Sequence, residues 1–261
     1  MAGGAPSADP FDLTGRVALV TGGSRGIGRC ISAGFAQRGA DVVIASRDQE
    51  ACAAAASDIA AATGRKAVGI GCHVGQWVDC DHLVSAACAA FGRVDILVNN
   101  AGMSPLYESL PEVTEALFDK VLAVNLRGPF RLASLLGHRM CEQGGGVIIN
   151  VSSIAAVQPD IAALPYALAK AALNALTVGL AHALGPTVRV NGIMPGPILT
   201  DVSAWWDGPA FTRHAQTEIP LRRGGQPGEL VGAAVYLASP AASYTTGAII
   251  KVDGGEAWAP A

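Results

Sequence analysis

Short apolar runs alternate along the chain with longer Ala- and Leu-rich segments. The runs at 16–20 (RVALV), 41–45 (DVVIA), 66–70 (KAVGI), 94–99 (VDILVN), 146–151 (GVIINV), 188–193 (VRVNGI) and 248–252 (AIIKV) are near-continuous rather than alternating, as in strands buried on both faces. Between them the pattern predicts helices near 26–39, 48–62, 76–91, 112–141, 163–184 and 227–238. Strand and helix in turn specify parallel strands joined by right-handed crossovers, hence an α/β doubly wound seven-stranded parallel sheet in a single domain over 13–261. One long stretch, 195–225, shows neither period and is expected to be a lid or binding loop. Residues 1–12 read as a disordered tail.

Composition narrows the class. Of 261 residues, 51% are hydrophobic and 15% charged, against about 25% charged in an average soluble protein. That leaves apolar surface over for subunit contacts. A net charge of −3 without a basic stripe argues against nucleic acid as a partner. No uninterrupted apolar run reaches the roughly 18 residues of a membrane span, and the N-terminus lacks the basic start and apolar centre of a secretory signal. The six cysteines form no CxxC pair and are expected to be reduced thiols in a cytoplasmic protein. Cys72, His73, Cys80 and His82 match no standard zinc spacing, so no metal is expected.

The first strand runs into TGGSRGIG (21–28) and then a helix. Gly22 suits a tight turn, Gly26 a close approach of backbone to a pyrophosphate, and Gly28 close packing of helix on sheet. Ser24, Arg25 and Ile27 complete a turn that leads phosphates to a helix N-terminus, as a dinucleotide requires. The next strand ends at Ser46-Arg47, where NAD-binding proteins usually carry an acid for the ribose hydroxyls. A guanidinium there can pair with a 2′-phosphate, and Arg25 could add a second charge. The expected cofactor is therefore NADP(H) in preference to NAD(H).

Tyr166 and Lys170 stand four residues apart in YALAK (166–170) and share a face of the predicted helix. By themselves they read most simply as a surface Tyr and a Lys snorkelling from a buried helix. In context they do not stand alone. TGGSRGIG, NNAG (99–102), Asn125 of VNLRG, VSS (151–153), YALAK and MPGPILT (194–200), in that order, resemble the motifs of short-chain dehydrogenases/reductases over about residues 12 to 255. The resemblance implies a Rossmann-type fold and a hydride exchanged between a nicotinamide and a ketone or secondary alcohol. It assigns Tyr166 as general acid/base, Lys170 as its activator, Ser153 as the carbonyl-binding hydroxyl and Asn125 as the end of a water-linked proton relay. Asn99, Ala101 and Gly102 are implied as cofactor wall, Val74 as an adenosine-side contact, and Pro195, Gly196, Ile198 and Thr200 as contacts near the pyrophosphate or carboxamide. One position departs: His73 stands where the family carries an Asp whose carboxylate meets the adenine amino group. A neutral imidazole can accept the same hydrogen bond.

Those roles fit elementary chemistry. A phenol of ordinary pKa about 10 is a poor base near neutrality. A nearby ammonium and an oxidised nicotinamide both favour the phenolate and are expected to lower that pKa, so that the group can pass a proton both ways. Ser153 Oγ can place the carbonyl and stabilise developing charge.

The nearly all-apolar helix at 163–184 predicts burial on two sides, one against a second copy of the chain, and the resemblance extends this to a homotetramer. Trp205, Trp206, Phe211 and Ile219 are expected on the lid, with Met103, Leu106, Gln158 and Leu164 on the opposite rim. Such walls suit a partly apolar small-molecule carbonyl, although the Trp pair fits a subunit interface equally well. A 3-oxoacyl substrate on a carrier protein would need basic residues at the cleft mouth, where Arg222 and Arg223 stand. A sugar or polyol dehydrogenase and a non-catalytic cofactor sensor are the competing readings.

Overall fold

A computed structural model describes residues 9–200 and 208–258. Seven strands, β1 (Val17–Thr21), β2 (Asp41–Ser46), β3 (Ala67–Gly71), β4 (Ile96–Asn99), β5 (Gly146–Val151), β6 (Val188–Pro195) and β7 (Ile249–Val252), form one sheet in the order β3-β2-β1-β4-β5-β6-β7. All six pairings are parallel. The order reverses between β1 and β4, and crevices for ligands open at the carboxyl ends of strands at such a point.

Successive residues of β1 feed opposite cores, which is why the strand is apolar throughout. Ala18 and Val20 pack with Phe35, Ile59 and Leu237 on one face, while Val17 and Leu19 pack with Leu83, Leu136 and Met140 on the other. The first face is covered by α1 (Gly26–Gln37), α2 (Gln49–Thr63) and α8 (Val231–Ala238), and the second by α3 (Trp77–Phe91), α5 (Gly128–Glu142) and α6 (Leu164–Leu184). Ends are set locally: Asp48 Oδ1 accepts from Ala51 N at 3.0 Å to cap α2, and Gly64 and Gly92, both left-handed, close α2 and α3.

The structure corrects three expectations. The helix expected over 112–141 divides into α4 (Glu115–Leu122), a π turn (Ala123–Arg127) and α5. Pro129 explains the break: it has no N–H to offer the carbonyl of Asn125 four residues back, and Gly128 N bonds instead to Ala123 O. The stretch 195–225 is not wholly irregular, since it contains α7 (Gly208–Glu218); Trp205 and Trp206 lie outside the described residues. Of the expected tail, residues 1–8 also lie outside, but the part that follows is held down. Asp9 pairs with Arg38 at 3.1 Å and Pro10 O accepts from Ala241 N at 3.0 Å. By length and composition 161–184 could cross a membrane, yet here it covers the sheet and buries Lys170 and Thr177.

At the amino end of β4, Asp95 is 2% exposed. Its Oδ2 accepts from Val17 N at 2.9 Å, and its Oδ1 is bonded by Arg16 and Arg93. Asp95→Ala leaves the buried Val17 N–H unpaired and is expected to cost about 1–3 kcal/mol. Urea unfolding should show this as a lower midpoint with an unchanged slope.

Candidate active site

At the carboxyl edge of β1 the chain turns through Gly22–Gly26 into α1. Arg25 occupies the N-cap without a side-chain cap bond, so the first-turn N–H groups remain open to an anion. Gly26 adopts φ +53°, which favours glycine. A Cβ on Gly28 would stand 2.3 Å from Gly22 O and 2.5 Å from Asn100 Nδ2, so turn, helix and β4 loop close up only around hydrogen. Asn100 does the clamping: its Nδ2 donates to Thr21 O at 2.9 Å and to Gly22 O at 3.3 Å. Thr21 Oγ1 accepts from the N–H groups of Asn100 and Ala101, at 3.0 and 3.1 Å. Thr200 lies over the turn, its Cγ2 3.6 Å from where a Gly26 Cβ would be. This cradle of bare backbone fits a pyrophosphate.

Beside it, Ser24 Oγ donates to Ser46 Oγ at 3.0 Å, so the two hydroxyls line the end of β2 together. Arg47 is exposed and forms no ion pair among the described residues. Asp48, the nearest acid, is committed to capping α2. Arg25 is exposed and Ile27 half-buried against the α1-side core. Val74 is buried near the end of β3, its carbonyl accepting from Cys80 Sγ at 3.3 Å. His73 differs from expectation. Its Nδ1 already accepts from Gly75 N at 3.1 Å, so the neutral ring carries its proton on Nε2 and presents a donor, not an acceptor, to any ligand.

The ends of β4 and β5 bring the remaining groups together. Asn99 is buried under the cleft, donating Nδ2 to Asn150 Oδ1 at 2.9 Å, and Asn150 in turn donates to Thr177 Oγ1 of α6 at 2.9 Å. Asn125, on the π turn, grips the backbone of Met103 from both sides: its Oδ1 accepts from Met103 N at 3.2 Å and its Nδ2 donates to Met103 O at 2.8 Å. A Cβ on Gly102 would lie 3.0 Å from Asn125 Oδ1 and 3.7 Å from Lys170 Nζ, which puts both groups at one wall of the cleft. Ser152 and Ser153 part company, as alternation along a strand end demands. Ser152 Oγ donates to Asn174 Oδ1 at 2.6 Å, and Ser153 Oγ accepts from Ala155 N at 3.1 Å and lies against the Tyr166 phenol. On the far side, Gly196 N bonds Val252 O at 3.1 Å after Pro195 ends β6, and buried Ile198 bridges to Gly225.

Lys170 is 3% exposed and donates Nζ to Val151 O at 2.7 Å, with its ammonium 5.6 Å from the Tyr166 ring centroid. Burial pulls its pKa down to about 8. Burial also raises the Tyr166 pKa, and the Ser153 hydroxyl opposes that shift without overturning it. The expected lowering of the phenol by Lys170 is therefore absent from the protein's own groups. In this desolvated pocket both side chains are pushed towards neutrality, and a phenolate needs further positive charge in the cleft.

Of the residues that frame the site, Asn100 is marked in the sequence only by the NNAG doublet, and nothing local marks Thr21 or Asn150. Met103, Leu106, Gln158 and Leu164 all lie on segments beside the cleft, with Leu106 and Gln158 exposed. Phe211 packs towards Gly224, and Ile219, just past α7, is buried beside Gly254. Among the described residues no His, Cys, Asp and Glu cluster could hold a metal.

Residues 22–256 match the family described as Enoyl-(Acyl carrier protein) reductase. Over 245 residues the chain is 40% identical to dehydrogenase/reductase SDR family member 4 of Bos taurus, covering 93% of this chain and 88% of that protein. It is also 40% identical over 249 residues to L-rhamnose 1-dehydrogenase (NAD(P)(+)) of Azotobacter vinelandii, covering 93% and 97%. The solved structure of 7α-hydroxysteroid dehydrogenase complexed with NADH and 7-oxo glycochenodeoxycholic acid superposes with a TM-score of 0.91 at 35% identity, covering 96% of this chain and 97% of that one. Fold, cradle and relatives together place the protein among the dinucleotide-dependent oxidoreductases. More narrowly, the chain belongs to the short-chain dehydrogenase/reductase family.

Lys170 is charged below about pH 8 and neutral above it. If the ammonium supports turnover, kcat/KM for the coenzyme falls as pH rises through about 8, with the loss reversed on returning to neutral buffer. A pH profile of kcat/KM, which reports the free enzyme, checks this.

Proposed function

We propose that the protein is an NADP(H)-preferring reductase of ketones, acting in reverse on secondary alcohols, with Tyr166 as its acid/base. The observation that carries the reading is the convergence of Tyr166, Ser153 and Lys170 beside the glycine cradle, with Asn125 on the adjoining wall. A nicotinamide held in the cradle would supply the hydride. Ser153 Oγ holds the carbonyl oxygen, and Tyr166 gives that oxygen its proton. Lys170 holds positive charge beneath the phenol, and Asn125 keeps the Met103 loop and the end of the proton route in place.

Two features support NADP(H) over NAD(H). The end of β2 offers Ser46 and an exposed Arg47 that forms no ion pair among the described residues, and the neighbouring Asp48 is occupied elsewhere. The relatives act with or hold either coenzyme, so the preference rests on this chain's residues. For substrate, the apolar rim favours a ketone with hydrophobic substituents. L-rhamnose 1-dehydrogenase among the relatives keeps a sugar or polyol as the second reading. A carrier-bound 3-oxoacyl substrate gains little support at the cleft mouth, because Arg223 is committed to Glu229 through two bonds of 2.7 Å. Exposed Leu168 and Val178 on α6, with Phe118 and Phe130 on α4 and α5, support assembly as a homotetramer. Six free thiols support a cytoplasmic location.

Tyr166→Phe is expected to lower turnover by about 10²–10⁴-fold while leaving NADPH binding nearly intact; steady-state assays on a panel of ketones, alcohols and acyl thioesters, with fluorescence titration of NADPH, test it. Unchanged turnover would end the assignment. Arg47→Asp is expected to weaken NADPH binding at least about tenfold with little loss for NADH, and wild-type protein that binds NADH more tightly than NADPH contradicts the preference.

A further inference from the structure

Helix α6 carries Tyr166 on its third residue, yet it has no cap of its own. Its N-cap is Ala163, which offers no side-chain hydrogen bond, and Pro165 has no N–H. The one acid nearby, Asp160, caps the preceding 3₁₀ turn through Ala162 N at 2.9 Å. The missing partner comes from the loop after β4. The half-buried Tyr107, on that loop, accepts from Leu164 N at 3.2 Å and donates its hydroxyl proton to Ile161 O. One phenol thus closes the donor and the acceptor that flank the entry to α6, 54 and 57 residues away in sequence.

The other end of the same loop is the Met103 backbone held by Asn125. Residues 103–107 therefore form a short strap tied at one end to the Asn125 π turn and at the other to the first turn of α6. Leu106 and Ile161, 72% and 82% exposed, stand beside the second tie as an apolar lip. We infer that Tyr107 is a positioning residue for the reaction: by fixing Leu164 it sets where the Tyr166 phenol stands two residues further on, and by tying the strap it sets one wall of the substrate cleft. The inference rests on the reading of Tyr166 as the acid. A displacement of about 1 Å at a reacting group costs on the order of 10²-fold in rate, so a lost tie should be visible in kcat.

The test compares Tyr107→Phe with wild type, using the full chain and the ketone it reduces best. Tyr166→Phe and Asp95→Ala serve as controls for the acid and for simple loss of stability. The expected result is a fall in kcat of about 10- to 100-fold, an unchanged NADPH dissociation constant, and faster hydrogen exchange at the Leu164 amide. Asp95→Ala should keep its kcat per folded molecule. Full kcat in Tyr107→Phe, with Tyr166→Phe inactive, overturns the positioning role alone. A loss that Asp95→Ala reproduces at equal stability overturns it as well. Turnover surviving in Tyr166→Phe overturns the acid reading and this inference with it.

Discussion

An ammonium taken out of water must be repaid in hydrogen bonds, and Lys170 finds one of them at the carbonyl of Val151, where β5 stops. That bond welds the middle of α6 to the end of the sheet. Ser152 reinforces the weld through Asn174 at 2.6 Å, and the strand's alternation then leaves Ser153 facing the phenol. Tyr166, Ser153 and the charge beneath them are consequently fixed by one junction. Its cost appears in the lowered pKa of the lysine and the raised pKa of the tyrosine. A site desolvated to this degree holds the phenol protonated until more positive charge arrives, which suits the proposed role of Tyr166 as a proton donor.

Polar contacts beneath the cleft extend the same junction across the sheet. Asn99 and Asn150 bond across β4 and β5, and Asn150 continues to Thr177 on α6. Asn100, next along, clamps the glycine turn to the β4 loop. Cofactor cradle and acid site are thus parts of one hydrogen-bonded layer at the carboxyl ends of β1, β4 and β5. Buried networks of this kind rigidify a site when every member is satisfied. Among the described residues Asn99 Oδ1 has no hydrogen-bond partner, which leaves an acceptor available to an ordered water.

The strands are legible in the sequence because each is mostly apolar. The pattern is fullest in the central ones that are covered on both faces, whereas the edge strands β3 and β7 are only half-buried. The candidate catalytic set is legible because Ser153, Tyr166 and Lys170 sit at fixed offsets on one strand end and one helix. What the sequence hides is non-local or compensating. The π turn follows from Pro129, but apolar periodicity runs straight through it. Helix α7 is short and polar on average, with Ala215 its one buried residue among those described, and so lacks the Ala- and Leu-rich run that marks the core helices. Tyr107 acts on backbone groups more than fifty residues away. His73 has an acceptor on paper, yet Gly75 takes it. The raised pKa of Tyr166 in the protein alone is hidden as well, because charge proximity can be read from spacing, whereas desolvation depends on how tightly α6 is pressed to the sheet.

The central claim is that Lys170 is held in a dry junction with its charge close to being lost. The chain has four lysines, few enough to resolve each side chain by NMR in protein labelled with ¹⁵N-lysine. A titration of the Lys170 Nζ resonance, assigned with Lys170→Arg, measures the claim directly. The account requires a midpoint at about 8. A midpoint at the ordinary value of 10.5 would mean a hydrated ammonium and would contradict it.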